Sequence, residues 1–240
     1  MTETMEVEIT KPIEVGLFYP VSEIFYSIQG EGAQSGMPMV FVRLAGCTVG
    51  KPYTTTYKSE NDLKVFQTEC TTWDGRKFPC DTDYRKKMSM TTIKIVEEIR
   101  KLTTDCKWIC ITGGEPMMHN LTPLLKFLKE EGFLTHLETS GTTLYYDSVS
   151  YIDWVVVSPK FPFNDMFAQL GDEIRILVDN EFSWSKLPES VRKNSHKVWI
   201  SPINDVDSIN PVNAGICSEI AKEHPEIRIS LQIHKILGVR

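Results

Sequence analysis

An α/β architecture of parallel strands joined by helical crossovers, arranged as a partial barrel or an open sheet, follows from three features of this 240-residue sequence. Short β-branched and aromatic runs recur, and each ends in turn residues. Segments with helical spacing lie between several of them, which is the signature of parallel strands with crossovers. Polar or glycine-rich groups follow four of the runs, where ligands bind in such folds because that edge collects the loops and helix N-termini.

In chain order, strands are expected at 40–44, 108–112, 134–138, 154–157, 173–178, 197–200 and 228–233. A first helix is read from Ile93, Val96, Ile99 and Leu102, which repeat every third residue. A second comes from Leu121, Leu124, Leu125 and Leu128, with the three-and-four spacing of a buried face. A third opens at Pro211 with Asn210 as its cap and Ile216 and Ile220 on one side. About six such units are too few for an eight-fold barrel. Segments 48–88 and 145–172 have no clean periodicity and are expected to be loop-rich.

Composition narrows the classes of function. Lys and Arg number 26 against 32 Asp and Glu, a net charge of -6, so the basic excess of a phosphate-backbone binder is absent and no direct nucleic-acid partner is expected. Apolar runs fall far short of the ~20 residues of a membrane span. The acidic N-terminus lacks a secretory pattern, so a cytoplasmic location is the expectation. In a reducing compartment the six cysteines, Cys47, Cys70, Cys80, Cys106, Cys110 and Cys217, read as metal ligands or buried packing rather than as disulfides. Cys106, Cys110 and Cys217 lie beside a predicted strand, in it, and in a predicted amphipathic helix. They are read as small buried hydrophobes.

The four polar groups are Thr112-Gly-Gly-Glu-Pro116, Glu138-Thr-Ser-Gly-Thr142, Ser158-Pro-Lys160 and Ser201-Pro-Ile-Asn204, and together they predict one composite site. Within the first, two residues without side chains expose backbone to a ligand, and Glu115 is a candidate acceptor for an ammonium or hydroxyl group.

Three cysteines leading into Gly113-Gly114-Glu115-Pro116 resemble the radical S-adenosylmethionine enzymes, in which three thiolates hold a 4Fe-4S cluster and leave one iron open. The spacing here is wide, with 22 and then 9 intervening residues. A narrower resemblance is carried by Ile24-Phe-Tyr-Ser-Ile-Gln-Gly-Glu-Gly32, Phe41-Val-Arg-Leu-Ala-Gly-Cys47, Cys80-Asp-Thr-Asp83, Thr112 to Pro116, Ser158 to Lys160 and Leu231-Gln-Ile-His-Lys-Ile-Leu-Gly238. In order along the chain, these resemble the 7-carboxy-7-deazaguanine synthase family, in a variant with an expanded cysteine loop.

That resemblance implies a partial (β/α)6-type barrel of the radical S-adenosylmethionine superfamily. It implies residues 1–20 as an N-terminal extension, 21–240 as a single domain, and an enlarged cluster loop at 47–80. The implied reaction converts 6-carboxy-5,6,7,8-tetrahydropterin to 7-carboxy-7-deazaguanine with loss of ammonia, on the way to queuosine-type 7-deazapurines, starting from a 5′-deoxyadenosyl radical. Carried over residue by residue, Cys47, Cys70 and Cys80 hold the cluster and Thr82 ligates Mg²⁺, with Asp81 and Asp83 beside it. Ile28, Gln29, Gly30, Glu31, Arg43, Thr112, His234 and Arg240 meet the pterin. Gly114, Glu115, Glu138, Ser158, Pro159, Lys160, Ser201, Pro202, Ile203 and Asn204 meet S-adenosylmethionine. An electron donor such as flavodoxin or ferredoxin and a homodimer are implied as partners. Two competing readings are an activase of a glycyl-radical protein and a zinc-stabilised binding module.

Overall fold

The first strand, β1 (Phe18–Ile28), runs antiparallel to β2 (Pro38–Leu44) and, on its other side, to β6 (Met88–Thr91). From β2 outward every neighbour is parallel: β7 (Trp108–Gly113), β8 (Leu134–Thr139), β9 (Trp154–Val157), β10 (Glu173–Val178), β11 (Val198–Pro202) and the two-residue β12 (Arg228–Ile229). The nine-stranded sheet has the order β12-β11-β10-β9-β8-β7-β2-β1-β6 and ends on β12 and β6 without closing. The computed structural model describes residues 17–50, 52–58, 64–80, 82, 87–143, 146–205 and 207–239.

Val, Ile and Leu dominate the central strands because parallel strands are buried on both faces. Helices α1 (Thr92–Leu102), α2 (Thr122–Glu130) and α6 (Pro211–Glu223) return the chain between strands. Thr91 caps α1 by accepting from the Lys94 amide, and Asn210 caps α6 by accepting from Val212 and Asn213. One core packs Val21, Val42, Ile111, Ile95, Ile99 and Leu124 between α1, α2 and the sheet. A second gathers Ile174, Ile176, Val198, Ile200 and Cys217 beneath α6.

Four expectations are corrected. Segment 48–88 holds a separate antiparallel sheet, β3 (Pro52–Lys58), β4 (Lys64–Thr71) and β5 (Lys77–Cys80), followed by β6. Its Thr-, Lys- and Tyr-containing strands lack the apolar alternation that reveals a sheet packed on a core. Segment 145–172 carries short helices α3 (Tyr146–Val149) and α4 (Met166–Leu170) around β9. The buried face of α1 is Thr92, Ile95, Val96 and Ile99, while Ile93 and Leu102 are exposed. A strict three-residue repeat drifts around a helix of 3.6 residues per turn, whereas three-and-four spacing keeps to one face. Finally, the expected strand at 228–233 stops at Ile229, and α7 (Ile233–Leu237) follows it. Gly238 ends that helix in the left-handed conformation at φ 64°, where a Cβ would be strained. Helix α5 (Glu189–Lys193) completes the elements. Among the described residues no helix is long and apolar enough to cross a membrane.

Candidate functional site

The carboxyl ends of β7, β8, β9 and β11 deliver the four polar groups to one place. Thr112, Gly114, Thr139, Ser140, Ser158, Lys160 and Ser201 to Asn204 all line a cavity of about 230 Å³. Cys47, Cys70 and Cys80 stand in the same wall. Cys47 arrives on the turn after β2. That turn is fastened to the Gly113-Gly114 segment by the Glu115 amide, which donates to Gly46 O at 3.0 Å. A Cβ on Gly114 would lie 2.1 Å from Gly46 O and 2.6 Å from Cys47 Cβ, so only glycine admits this approach.

Cys70 and Cys80 come from the small sheet. Cys70 lies opposite Phe78 and Thr68 opposite Cys80, so the two cysteines sit on one face as diagonal neighbours of adjacent strands. A β-ladder thus brings together thiols with nine residues between them. Among the described residues, the one set of three His, Cys or carboxylate ligand atoms all within 4.8 Å is Cys110, His136 and Glu138. The Cys47, Cys70 and Cys80 sulfurs therefore do not all lie within 4.8 Å of one another, whereas the thiolates of one tetrahedral zinc, with Zn–S bonds of about 2.3 Å, would. Three cavity-facing thiols held apart suit a multi-iron cluster, which Cys thiolates ligate. Burial raises the Cys47 thiol pKa and pushes that of Cys70 up to about 11, with nearby Lys160 acting in the opposite direction on Cys70.

A second cavity of about 520 Å³ adjoins the first and shares Glu31, Thr82, Thr112 and Glu138 with it. Ile28, Gln29, Gly30, Arg43 and His234 line it. Arg43 pairs with Glu23 at 2.7 Å across the β1–β2 ladder, points a second nitrogen at Thr82 Oγ1 (3.4 Å), and lies over the Phe25 ring. His234 sits on α7, not on a strand. Its Nδ1 lies 1.9 Å from the ideal position of a Gly30 Cβ, so a side chain at Gly30 would displace the His234 ring. The Ile233 amide completes the contact by donating to Gly30 O at 3.0 Å.

The floor between the cavities is a buried ion network that sequence reasoning missed. Arg175 on β10 meets Glu173 at 2.9 Å and Glu31 and Glu138 at 3.1 Å each. Glu138 Oε1 also takes a bond from Gln29 Nε2 and faces His136 Nε2, each at 3.0 Å, while His136 Nδ1 meets Gln34 Oε1 at 2.7 Å. Burial would raise the Glu138 pKa, but the Arg175 guanidinium and His136 outweigh it and hold the carboxyl at about 2. With Arg175 already against Glu138, the His136–Glu138 pair of that triplet serves as a hydrogen-bonded support. One signal of Arg175 was available, a lone cation inside Glu173-Ile-Arg-Ile-Leu-Val178.

Two of the proposed cofactor contacts stand behind the wall. Glu115 is 1% exposed and accepts from Met117 N, Thr139 Oγ1, Ser140 N and Ser140 Oγ, so its oxygens organise the loop rather than face a ligand. Burial raises its pKa despite those bonds. Pro159 is buried and lines neither cavity. Arg240, Asp81 and Asp83 lie outside the described residues. Cys110 and Cys217 are fully buried, as expected of structural thiols; Cys106 is half-buried with Sγ 3.3 Å from Pro38 O.

No family model matches the chain. The 7-carboxy-7-deazaguanine synthase of Synechocystis sp. is 32% identical over 228 residues, spanning 92% of this chain and 94% of that protein. The chain belongs to the 7-carboxy-7-deazaguanine synthase family. The Buchnera aphidicola 7-carboxy-7-deazaguanine synthase is 30% identical, over 93% of this chain and all of that protein; that of Escherichia coli K12 is 27% identical, over 92% and 99%. The crystal structure of QueE from Escherichia coli superposes with a TM-score of 0.63 at 24% identity, over 92% of this chain and 96% of that one, and supports the fold. Membership in the 7-carboxy-7-deazaguanine synthase family implies a 4Fe-4S cluster and S-adenosylmethionine for this site, and the three separated thiols fit that requirement.

Proposed function

We propose that this chain is a radical S-adenosylmethionine lyase making 7-carboxy-7-deazaguanine from 6-carboxy-5,6,7,8-tetrahydropterin. One observation carries the reading: a thiol-lined cavity adjoins a larger one whose wall includes both the Glu31 and Glu138 carboxylates and the Arg43 guanidinium. When bound, the reduced cluster and S-adenosylmethionine supply a 5′-deoxyadenosyl radical, which is the hard chemistry the protein has only to position and shield.

The residues divide the binding work. Glu31 and Glu138 give the cavity floor carboxylate oxygens in excess of the one guanidinium among them, which favours the donor-rich guanidine-like edge of a pterin. Arg43 supplies a cation at another part of the wall for the substrate carboxylate. Ile28, the Gln29-Gly30 backbone, Thr112 and His234 enclose the ring between them. Gln29 acts from below, since its amide is bonded to Glu138 and accepts from the Glu31 amide. Gly114, Ser158, Lys160 and the stretch from Ser201 to Asn204 form the wall for S-adenosylmethionine. Thr82, shared by both cavities, is the proposed Mg²⁺ ligand, an oxygen donor of the kind that ion prefers. The enlarged loop at 47–80, folded in part as β3 to β5, takes the role of a short cysteine motif, within a single domain at 21–240 after an extension at 1–20. A one-electron donor of the flavodoxin or ferredoxin class, a homodimer and a cytoplasmic location belong to the same reading.

The test is anaerobic. Protein reconstituted with iron and sulfide, given reductant, S-adenosylmethionine, Mg²⁺ and 6-carboxytetrahydropterin, is expected to form 7-carboxy-7-deazaguanine. Cys70→Ala should abolish iron and sulfide binding and Cys106→Ala should leave both intact. A fully cluster-loaded wild type that makes no deazaguanine would refute the substrate; the reverse pattern in the two variants would refute the ligand set.

A further inference from the structure

Lys160 is the buried cation that the ion network does not use. It is 8% exposed, and its Nζ donates to Ser158 O at 3.1 Å and to Ser158 Oγ at 2.6 Å. Among the described residues no carboxylate lies within ion-pair distance of it. The contrast with its neighbours in the cavity wall is sharp: Arg175 is surrounded by three carboxylates, and Lys235 is half-exposed with Nζ on Asp205 O. An ammonium taken out of water without a counter-ion is costly, and proteins pair such groups. The acidic groups that act on it most strongly are the thiols of Cys70 and Cys80, with the Glu31 carboxylate after them, and all three share its cavity wall.

The backbone holds Lys160 there. Its own amide donates to Ser140 O at 3.1 Å. The next amide, Phe161 N, donates to Thr72 O at 3.1 Å and approaches Thr71 Oγ1 at 3.2 Å, two residues and one residue beyond Cys70. The loop carrying the lysine is therefore fastened to the strand end carrying the thiol. Burial lowers the lysine's pKa while the Cys70 and Cys80 thiols, and after them Glu31, oppose that shift, in keeping with this placement.

We propose that Lys160 is the fixed counter-charge of the cluster and sets its reduction potential, a role separate from any contact with S-adenosylmethionine. The inference rests on the cluster assignment made above. On reduction one electron enters the cluster from an external one-electron reductant; no bond forms or breaks, and the site becomes one charge more negative. A nearby buried ammonium favours that state, because cluster potentials follow local charge and burial.

The experiment is an EPR-monitored redox titration of anaerobically reconstituted wild type, Lys160→Gln and Lys160→Arg, all without S-adenosylmethionine. For Lys160→Gln the reduced-to-oxidised ratio at a given potential should fall about tenfold, a one-electron midpoint about 59 mV more negative. Lys160→Arg should stay near wild type. The midpoint is read on the loaded fraction, so partial loading does not obscure it. If Lys160→Gln loads no cluster while Lys160→Arg does, the charge is required for assembly and the counter-charge role stands. An unchanged midpoint in Lys160→Gln, or loss of the cluster in both variants, overturns it. A wild type that holds no iron would instead sink the cluster assignment.

Discussion

The main sheet and the small cysteine-bearing sheet hold functional side chains in different ways. On the main sheet, Glu138 and Arg175 stand on parallel strands buried on both faces, and their charges are locked together with Glu31 and Glu173. The β3–β5 sheet instead presents Cys70 and Cys80 from a peripheral ladder fastened at identifiable points. Phe161 N bonds to Thr72 O, and Arg76 bridges Asp74 (3.0 Å) and Asp179, the residue after β10. The cavity floor is thus part of the core, whereas two of the three proposed cluster ligands belong to an attachment. Loss of an internal charge should destabilise the whole fold; loss of an attachment contact should release the cluster and leave the fold.

Arg175→Met gives the largest expected effect. It strands Glu31, Glu138 and Glu173 with their charges uncompensated, a loss of about 3–5 kcal/mol for a broken buried pair. Thermal denaturation followed by circular dichroism should show Tm falling by about 10 °C, using the per-kcal shift usual for this chain length. Adding Glu173→Gln to Arg175→Met should recover part of the fall. A Tm within 2 °C of wild type would show that the network is not what secures this region.

An acid titration sharpens the same contrast. The folded Glu138 carboxyl is held at about 2, below an ordinary value of 4.5, so between these pH values the unfolded chain binds the extra proton. The stabilisation is complete above about pH 5 and drains away as pH falls toward 2, by roughly 3 kcal/mol. Urea unfolding at stepped pH should show this slope in wild type and a flatter one in Glu138→Gln. Equal slopes would mean that other carboxyls carry the acid sensitivity.

Arg76→Ala should be the mildest for stability. Its pairs are about one-fifth to one-quarter exposed and fall in the range of about 1 kcal/mol or less. Tm should barely move, while iron is lost faster to a chelator than from wild type. A Tm fall matching that of Arg175→Met would make the small sheet part of the cooperative core, and unchanged iron release would remove Arg76 from its attachment.

Much of the framework was legible because it follows from local periodicity. The strands at 40–44, 108–112 and 173–178, the Leu121-Leu124-Leu125-Leu128 face and the Asn210-Pro211 start of α6 obey spacing and capping rules that need no tertiary partner. The four polar strand ends were also readable as one site, since parallel strands point their carboxyl ends the same way. The small sheet was not, because its sequence lacks the apolar alternation imposed by packing on a core. Nor was α7: Gln232-Ile-His-Lys-Ile-Leu237 is β-rich in composition, and the helix is read only with its docking on Gly30 and its glycine stop.

From its residues alone this protein was an α/β chain with a composite site, six thiols and a family resemblance. Those conclusions rest on side-chain chemistry and on repeats a few residues long. The tertiary structure decided which carboxylates neutralise Arg175, how a ladder brings Cys70 beside Cys80, and that Lys160 is buried in one cavity wall with both thiols. Such facts concern pairs far apart in the chain. Their energies depend on burial and distance, which no local pattern encodes.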